Sequence, residues 1–263
     1  MNRGLSKFSS MRVGRGWSDK ARVIFYSLFR SRPGVWRLWS NIFGRKDWCI
    51  HVETPSGCTR LMFEPNEVME LTVVDELLFD GLYQLEQPFD VVVDCGAFRG
   101  ISTIFLQDQA KAGTVVAIEP NPENFCVLQR RLQCAIPTAK LFAGAVGHED
   151  GVARFGGHGV GGKVGEGGVE VPVYRLAELD VLREAKSLLL KMDVEGAERE
   201  ILPDLRQFLP RHCTILLETH STESAARELL CPYEQDGFAV KKLRGRKDEE
   251  SDVFFIDWEI KRT

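Results

Sequence analysis

The chain has 263 residues, of which 44% are hydrophobic and 27% charged, with a formal net charge of −4 at pH 7. This composition is that of a globular protein and excludes collagen-like, low-complexity and wholly disordered chains. The charge is uneven, because residues 1–50 hold 11 Lys and Arg against Asp19 and Asp47, a net of +9, and residues 51–263 therefore carry −13.

The seven cysteines are odd in number, form no CxxC pair and mostly lie in apolar runs such as VVVDCG and NFCVL. We therefore expect a reduced, cytoplasmic chain with buried free thiols and no zinc site. No apolar run approaches the roughly 18–20 residues that span a bilayer. The N-terminus also lacks the apolar core of a signal peptide.

Residues 1–47 are predicted to form a basic arm of two amphipathic helices. Apolar residues recur at helical spacing from Ala21 to Phe29 and again from Val35 to Ile42, with arginines beside them. The first interpretation is a helical cap that packs on the protein's own core. The second is peripheral contact of residues 18–46 with a membrane surface.

Residues 48–89 are predicted to form a β-hairpin and a helix that lead into the main domain. The extended runs Trp48–Glu53 and Thr59–Phe63 flank the turn sequence Pro55-Ser56-Gly57, and Val68–Leu85 has a helical pattern.

Residues 90–263 alternate between apolar strands and helices. Near-continuous Val, Ile and Leu in each strand predict a doubly wound, mostly parallel sheet with its ligand site at the carboxyl ends of the strands. The predicted segments are 90–94, 101–109, 115–119, 122–133, 140–146, 187–193, 196–202, 213–219, 221–230, 239–243 and 252–258.

Residues 156–168 interrupt the pattern with eight glycines in thirteen positions. We expect no packed element there, and favour a tolerated hairpin insertion over a mobile loop at the edge of the active site.

The motif VVVDCGAFRG at residues 91–100 carries the clearest chemical signal. A buried strand ends in Asp94, and Gly96 and Gly100 allow a tight turn before a helix. A carboxylate at this place disfavours pyrophosphate and favours a cation such as the α-amino group of S-adenosylmethionine. Glu119 ends the next strand, where a carboxylate can take the hydroxyls of an adenosine ribose. Helix capping is the alternative role for each acid.

The motifs VVVDCGAFRG, AIEPNPENFCVLQRRL, AGAVG and LLLKMDVEGAEREIL occur in this order over roughly residues 90–220. In this the chain resembles the FkbM family of S-adenosylmethionine-dependent methyltransferases. The resemblance implies the class I methyltransferase fold, a Rossmann-like sheet of seven strands with an antiparallel last strand, and O-methylation as the usual activity. S-adenosylhomocysteine is the implied product.

The matching motifs also imply which residues bind the donor. Asp94, Gly96, Ala97 and Gly100 correspond to the methionine-binding turn, Glu119 and Pro120 to the ribose site, and Ala145 and Val146 to the adenine site. The family's first loop often reads GAN-x-G, whereas this chain has Phe98 in place of the small polar residue.

Three side chains are predicted to surround the methyl acceptor. Asp193 follows the fourth strand in DVEGAE, and Glu218 and His220 lie two residues apart on the next strand, hence on one face. A hydroxyl acceptor needs a base, and His220 or a desolvated Asp193 could serve. We predict no metal, although the same groups could instead hold a divalent cation. Glu198 is expected to compensate the dipole of the following helix.

The predicted function is O-methylation of a small-molecule or glycan acceptor. A nucleic-acid methyltransferase that binds through the basic arm is one alternative, disfavoured by the acidic body and by the lack of an NPPY-like tetrad. A binding module that kept the fold without the chemistry is the other.

Overall fold

The computed structural model describes residues 48–54, 57–63, 73, 83, 85–156, 163–164, 168–247 and 254–262. The predicted arm, with residues 18–46, and most of the predicted helix Val68–Leu85 lie outside the described residues. Membrane contact and the predicted domain limits therefore stay predictions. In the part of the chain that is described, no helix is long and apolar enough to cross a membrane. The chain forms two compact units, Met1–Leu82 and Tyr83–Thr263.

The secondary structure is numbered in chain order. The strands are β1 Trp48–Thr54, β2 Gly57–Phe63, β3 Val91–Cys95, β4 Thr114–Glu119, β5 Lys140–Ala143, β6 Ala145–Gly147, β7 Gly151–Gly156, β8 Lys163–Val164, β9 Val169–Arg175, β10 Ser187–Met192, β11 His212–His220, β12 Ala239–Lys247 and β13 Phe254–Arg262. The helices are α1 Ile101–Ala110, α2 Pro122–Ala135, α3 Asp180–Glu184, α4 Glu198–Leu205 and α5 Glu223–Gln235.

In the first unit, β1 and β2 form the predicted hairpin. They pair antiparallel, with Trp48 opposite Phe63 and Thr54 opposite Gly57. The predicted turn residues Pro55 and Ser56, which stand between the two strands, lie outside the described residues.

In the second unit, seven of the described strands form one sheet in the order β12-β13-β11-β10-β3-β4-β5. The strands β3, β4, β5, β10 and β11 are parallel to one another, and the last strand, β13, is antiparallel to both β11 and β12. The expected mostly parallel, seven-stranded class I sheet is thus confirmed. From β3, successive strands of the chain are added on one side of the sheet as far as β5, and from β10 they are added on the other side. Such sheets bind ligands at this switch point between β3 and β10.

The core lies in the central strands and the helices that cover them. α1 packs against β3 and β4, α2 against β4 and β5, and α5 against β12 and β13. Fully buried apolar side chains come from β3, β4, β10 and β11: Val92, Val93, Val116, Leu188, Leu189, Leu190, Ile215 and Leu217. This explains why these strands are apolar on both faces rather than alternating.

A second sheet, in the order β6-β9-β7-β8, was not predicted. The sequence suggested one strand over 140–146, but the chain leaves the main sheet at Gly144 and Ala145 begins β6. A Cβ at Gly144 would lie 2.5 Å from the Pro172 carbonyl oxygen, so only glycine allows this close approach to β9. β7 pairs antiparallel with β8 and β9, as in a hairpin insertion. Lys163–Val164 form β8 inside the glycine-rich segment, so the expectation of no packed element there was wrong.

Among the five cysteines whose burial the structure describes, the expected burial holds for the two in the main sheet. Cys95 and Cys213 are buried free thiols, whereas Cys126, Cys134 and Cys231 are exposed free thiols on α2 and α5. An amphipathic helix has a solvent face even where its local sequence is apolar, which is why NFCVL was misleading.

Candidate active site

A cleft opens at the carboxyl ends of β3, β4 and β10. It encloses about 630 Å³, including its open mouth. Its described lining residues come from both sheets: Gly96, Phe98, Ile118, Glu119, Pro120, Asn124, Gly144, Ala145, Val146, Phe155, Asp193, Val194, Glu195 and Ala197. The cleft therefore lies where the sequence placed the ligand site.

The glycine turn, residues 95–100, forms one wall of the cleft. Gly96 has φ +75°, and its N–H and that of Ala97 both donate to the Ile118 carbonyl oxygen at 3.0 Å. A Cβ on Gly96 would lie 1.9 Å from the carbonyl oxygen of Asp193. Only glycine fits there, both for its conformation and for its contact with the chain after β10.

Three residues that were predicted to bind the donor lie behind this wall. Gly100 faces α2, because a Cβ there would lie 2.7 Å from the Leu128 side chain. Ala97 is buried. Asp94 is fully buried, and its Oδ2 accepts hydrogen bonds from Ser102 and Thr103 at 2.8 and 2.7 Å. Two hydroxyl groups of α1 thus bind this carboxylate, which does not line the cleft, and direct contact between Asp94 and the donor stays a prediction.

Glu119 and Pro120 line the cleft. The Glu119 carboxylate accepts hydrogen bonds from the backbone N–H groups of Asn121 at 2.9 Å and Phe98 at 2.8 Å. Burial raises the pKa of Glu119 to about 7, against the lowering effect of these hydrogen bonds. Two backbone donors thus fix a carboxylate in the wall of the cleft.

Apolar groups line the cleft beyond Glu119. Ala145 and Val146 lie where the motifs placed them, although on β6 rather than on the end of β5. Phe155 of β7 also lines the cleft and was not foreseen, because its strand belongs to the unpredicted sheet. Phe98 replaces the family's small polar residue and contributes both a backbone donor and cleft surface.

The acidic cluster, which consists of Asp193, Glu195, Glu198, Glu218 and His220, lies at the other side of the cleft. His220 Nδ1 is 2.6 Å from Glu198 Oε1. Its Nε2 is 3.3 Å from Glu195 Oε2, 3.5 Å from Glu218 Oε1 and 3.8 Å from Asp193 Oδ1. Asp193, Glu218 and His220 converge as the sequence indicated, whereas their catalytic roles stay predictions.

His220 is charged at neutral pH. Burial opposes the positive charge, but the hydrogen bonds to Glu198 and Glu218 and the surrounding carboxylates outweigh it and raise the pKa of His220 to about 10. An imidazole that already holds its proton cannot accept another, so this pKa disfavours His220 as the base. The catalytic role of His220 stays a prediction.

Asp193 is the other residue that the sequence proposes as the base. Burial raises the pKa of Asp193, and the negative charge of Glu218 adds to this effect, while Lys191 opposes it. An ionised carboxylate whose pKa is raised is a stronger base than an ordinary aspartate. Its side chain is 33% exposed and lines the cleft, so it can reach a bound acceptor.

Sequence reasoning missed two functional features of this cluster. Glu198 begins α4 as expected of a dipole partner, but it is 1% exposed and binds His220. Glu195 has φ +53°, a left-handed conformation that is unfavourable for a glutamate and brings its carboxylate to His220. Only the short spacing in DVEGAE hinted at either contact.

Lys191 was also missed. It lies in the apolar run LLLKMD of β10, and its Nζ donates to the Gly96 carbonyl oxygen at 2.7 Å. A lysine inside a buried strand is itself a sequence signal, because lysine is almost never buried unless paired.

Among the described residues, Asp193, Glu195 and His220 could hold a metal ion. Each offers one ligand atom, and these atoms lie within 4.8 Å of one another. The hydrogen bond that His220 Nδ1 donates to Glu198 is of the kind that orients a metal-bound histidine. The alternative of a divalent cation therefore has a definite place in the structure.

The chain matches known proteins over most of this region. Residues 94–246, more than half of the chain, match the family model described as the methyltransferase FkbM domain. The chain is 28% identical to the 31-O-demethyl-FK506 methyltransferase FkbM of Streptomyces tacrolimicus over 196 residues, an alignment that covers 59% of this chain and 74% of that protein.

Two solved structures are similar at low identity. The methyltransferase FkbM from Methylobacillus flagellatus KT is 17% identical with a TM-score of 0.44, over 98% of this chain and 59% of that one. The M. jannaschii TYW2 in complex with AdoMet is 17% identical with a TM-score of 0.44, over 72% of this chain and 76% of that one.

The family match confirms methyl transfer as the activity and S-adenosylmethionine as the methyl donor. Because the family model matches more than half of the chain, and the chain has the class I sheet with a cleft at its carboxyl edge, the chain belongs to the FkbM family of methyltransferases.

Proposed function

We propose that this enzyme transfers a methyl group to a hydroxyl oxygen of a small-molecule or glycan acceptor. The observation that carries the proposal is Asp193, a carboxylate of raised pKa in the wall of the same cleft as the glycine turn and Glu119. The name of the Streptomyces relative, which describes methylation at an oxygen, supports the same acceptor chemistry.

The cleft suits S-adenosylmethionine. Gly96 of the glycine turn lines the cleft beside Asp193, and we assign the methionine part of the donor to this side. Glu119 presents its carboxylate for the ribose hydroxyls, and Ala145 and Val146 form an apolar surface for the adenine. The carboxylates of the acidic cluster provide a negative environment that favours a cationic ligand.

When bound, S-adenosylmethionine supplies a methyl group on a positively charged sulfur. Asp193 accepts the proton of the acceptor hydroxyl as the oxygen forms its bond to the methyl carbon. The carbon–sulfur bond breaks, and its electron pair stays on the sulfur, which becomes neutral. The protein thus aligns the two reactants and removes one proton.

His220 holds the carboxylates in place. As an imidazolium it lies within 4 Å of four carboxylates and reduces their mutual repulsion. A divalent cation bound by Asp193, Glu195 and His220 is the alternative, in which the metal lowers the pKa of the acceptor hydroxyl.

The test combines donor binding with turnover. The wild type should bind S-adenosylhomocysteine in a calorimetric titration and methylate at least one member of a panel of hydroxyl compounds and glycans. Activity that survives EDTA supports Asp193 as a base without metal, whereas activity lost to EDTA and restored by Mg²⁺ supports the metal alternative. No binding and no product would overturn the proposal.

A further inference from the structure

Lys191 places a positive charge inside the most buried part of the main sheet. It is the next-to-last residue of β10, its Cα partner on β3 is Asp94, and it is 5% exposed. Burying an ammonium group is costly unless it is paired and hydrogen-bonded, so its contacts indicate what it does.

The Lys191 ammonium group contacts both sides of the cleft. Nζ donates to the carbonyl oxygen of Gly96 at 2.7 Å, and Gly96 belongs to the glycine turn. The same nitrogen lies 3.5 Å from Oδ2 of Asp193, in the acidic cluster, and 3.5 Å from Oδ1 of Asp94. One cation therefore joins the two regions that the proposed reaction must align.

The charge of Lys191 is stable. Burial lowers its pKa, but Asp94 and Asp193, with a further contribution from Glu218, outweigh burial and raise the pKa above its ordinary value. The ammonium group is thus surrounded by one carbonyl oxygen and two carboxylates, which suits a fixed hydrogen-bond donor.

Backbone contacts already join the glycine turn to the main chain at Asp193. They do not fix the orientation of the Asp193 side chain. The Asp193 N–H donates to the Cys95 carbonyl oxygen at 3.1 Å, and Gly96 lies directly against the Asp193 carbonyl. These contacts fix the main chain. Lys191 is bound both to the Gly96 carbonyl and to the Asp193 carboxylate, so it can fix the direction of the proton acceptor.

We propose that Lys191 is a positioning residue, whose ammonium group holds the Gly96 carbonyl and the Asp193 carboxylate in one fixed relation, so that the proton acceptor faces the donor's methyl group. The inference rests on the proposed function, because it needs the donor at the glycine turn and the base at Asp193. A displacement of about 1 Å between reacting groups can cost roughly 100-fold in rate.

The competing explanation is purely structural: Lys191 only neutralises the buried charge of Asp94. The double variant Lys191→Met with Asp94→Asn, compared with Asp94→Asn alone, separates the two explanations, because both proteins lack the buried charge of Asp94, both keep Asp193, and they differ only at Lys191. Its thermal unfolding shows whether the fold is retained. Lys186→Met, at an exposed lysine just before the same strand, is the matched control.

The first readout is the affinity for S-adenosylhomocysteine, measured by calorimetry. The second is the rate of methyl transfer at saturating donor to the acceptor found in the hydroxyl panel. We expect the folded double variant to bind S-adenosylhomocysteine about 10-fold more weakly than Asp94→Asn and to react about 100-fold more slowly, while Lys186→Met matches the wild type. A folded double variant with the affinity and rate of Asp94→Asn would overturn the inference and leave the proposed function intact.

Lys191→Arg covers the case in which the double variant does not fold. It keeps the charge next to Asp94 but places a planar guanidinium where a compact ammonium fits. The inference expects a folded protein with a reduced rate, and a wild-type rate would contradict it. A wild type that neither binds S-adenosylhomocysteine nor methylates any acceptor would instead refute the proposed function itself.

Discussion

The two sides of the cleft are built differently. The glycine turn and Glu119 depend on backbone geometry: positive φ at Gly96, a close approach to Asp193 and two backbone N–H groups on one carboxylate. The acidic cluster depends on side chains from two strand ends and one helix start, which meet around His220.

The proposed function assigns donor binding to the first side and proton transfer to the second. Backbone groups hold a ligand at low cost because they are already ordered by the sheet, whereas clustered carboxylates shift one another's pKa values and so tune proton transfer. We therefore expect changes at the glycine turn to weaken donor binding, and changes in the acidic cluster to affect rate and pH dependence.

Asp193→Asn should have the largest effect. The amide cannot accept the acceptor's proton, so kcat should fall by about 10²–10⁴-fold, whereas the affinity for S-adenosylhomocysteine should stay close to that of the wild type. Steady-state kinetics and calorimetry measure the two quantities. Asp180→Asn, at an exposed aspartate, is the control. A variant that loses donor binding as strongly as rate would show that the two sides are not separate.

Gly96→Ala should mainly weaken donor binding. Its methyl group would meet the Asp193 carbonyl oxygen in a backbone conformation that alanine disfavours. Such strain costs about 1–3 kcal/mol, which corresponds to a roughly 10- to 100-fold loss of affinity for S-adenosylhomocysteine if it falls on the binding geometry. Gly113→Ala is the matched control, because nothing lies within 4 Å of its Cβ. Equal affinities for the two variants would contradict a role for Gly96 in the cleft.

Glu119→Gln should reduce donor affinity to a smaller extent. Both carboxylate oxygens accept backbone N–H groups, so an amide would place its own NH₂ against one of these donors. An unsatisfied buried donor costs about 1–3 kcal/mol, and we expect roughly 10-fold weaker binding of S-adenosylhomocysteine by calorimetry. Its rate at saturating donor should change little. A large fall in that rate with unchanged affinity would assign Glu119 to the chemistry instead.

His220→Gln should change the pH dependence of stability. The folded pKa of His220 is raised from 6.5 to about 10. Its stabilising contribution is therefore fully present below about pH 6.5 and is lost as the pH rises through 10. The wild type should have the higher Tm at pH 6, and the difference between the two proteins should shrink toward pH 10. A difference in Tm that does not vary with pH would show that His220 is not charged in the fold.

Local sequence patterns were enough to predict much of the fold and the side of the cleft that contains the glycine turn and Glu119. The strands β3, β4, β10 and β11 could be predicted from the sequence because a strand buried on both faces must be apolar throughout. Gly96 and Glu119 could be predicted because a tight turn, and an acid at the end of a strand, each have a short and characteristic sequence pattern.

Side-chain direction could not be predicted in the same way. Asp94 and Asp193 both follow apolar strands, yet Asp94 turns inward to Ser102 and Thr103 while Asp193 faces the cleft. Nothing local to either residue distinguishes them, because the partners that decide their direction come from other elements.

By itself, the sequence determined the alternation of strands and helices, the parallel sheet and the place of the cleft, because these follow from periodicity and turn chemistry. Only the tertiary structure decided the state of His220, the burial of Lys191 and the change of sheet at Gly144. Those depend on charges and close contacts between residues that are distant in the chain, and the energy of such contacts is set by distance and burial rather than by sequence spacing.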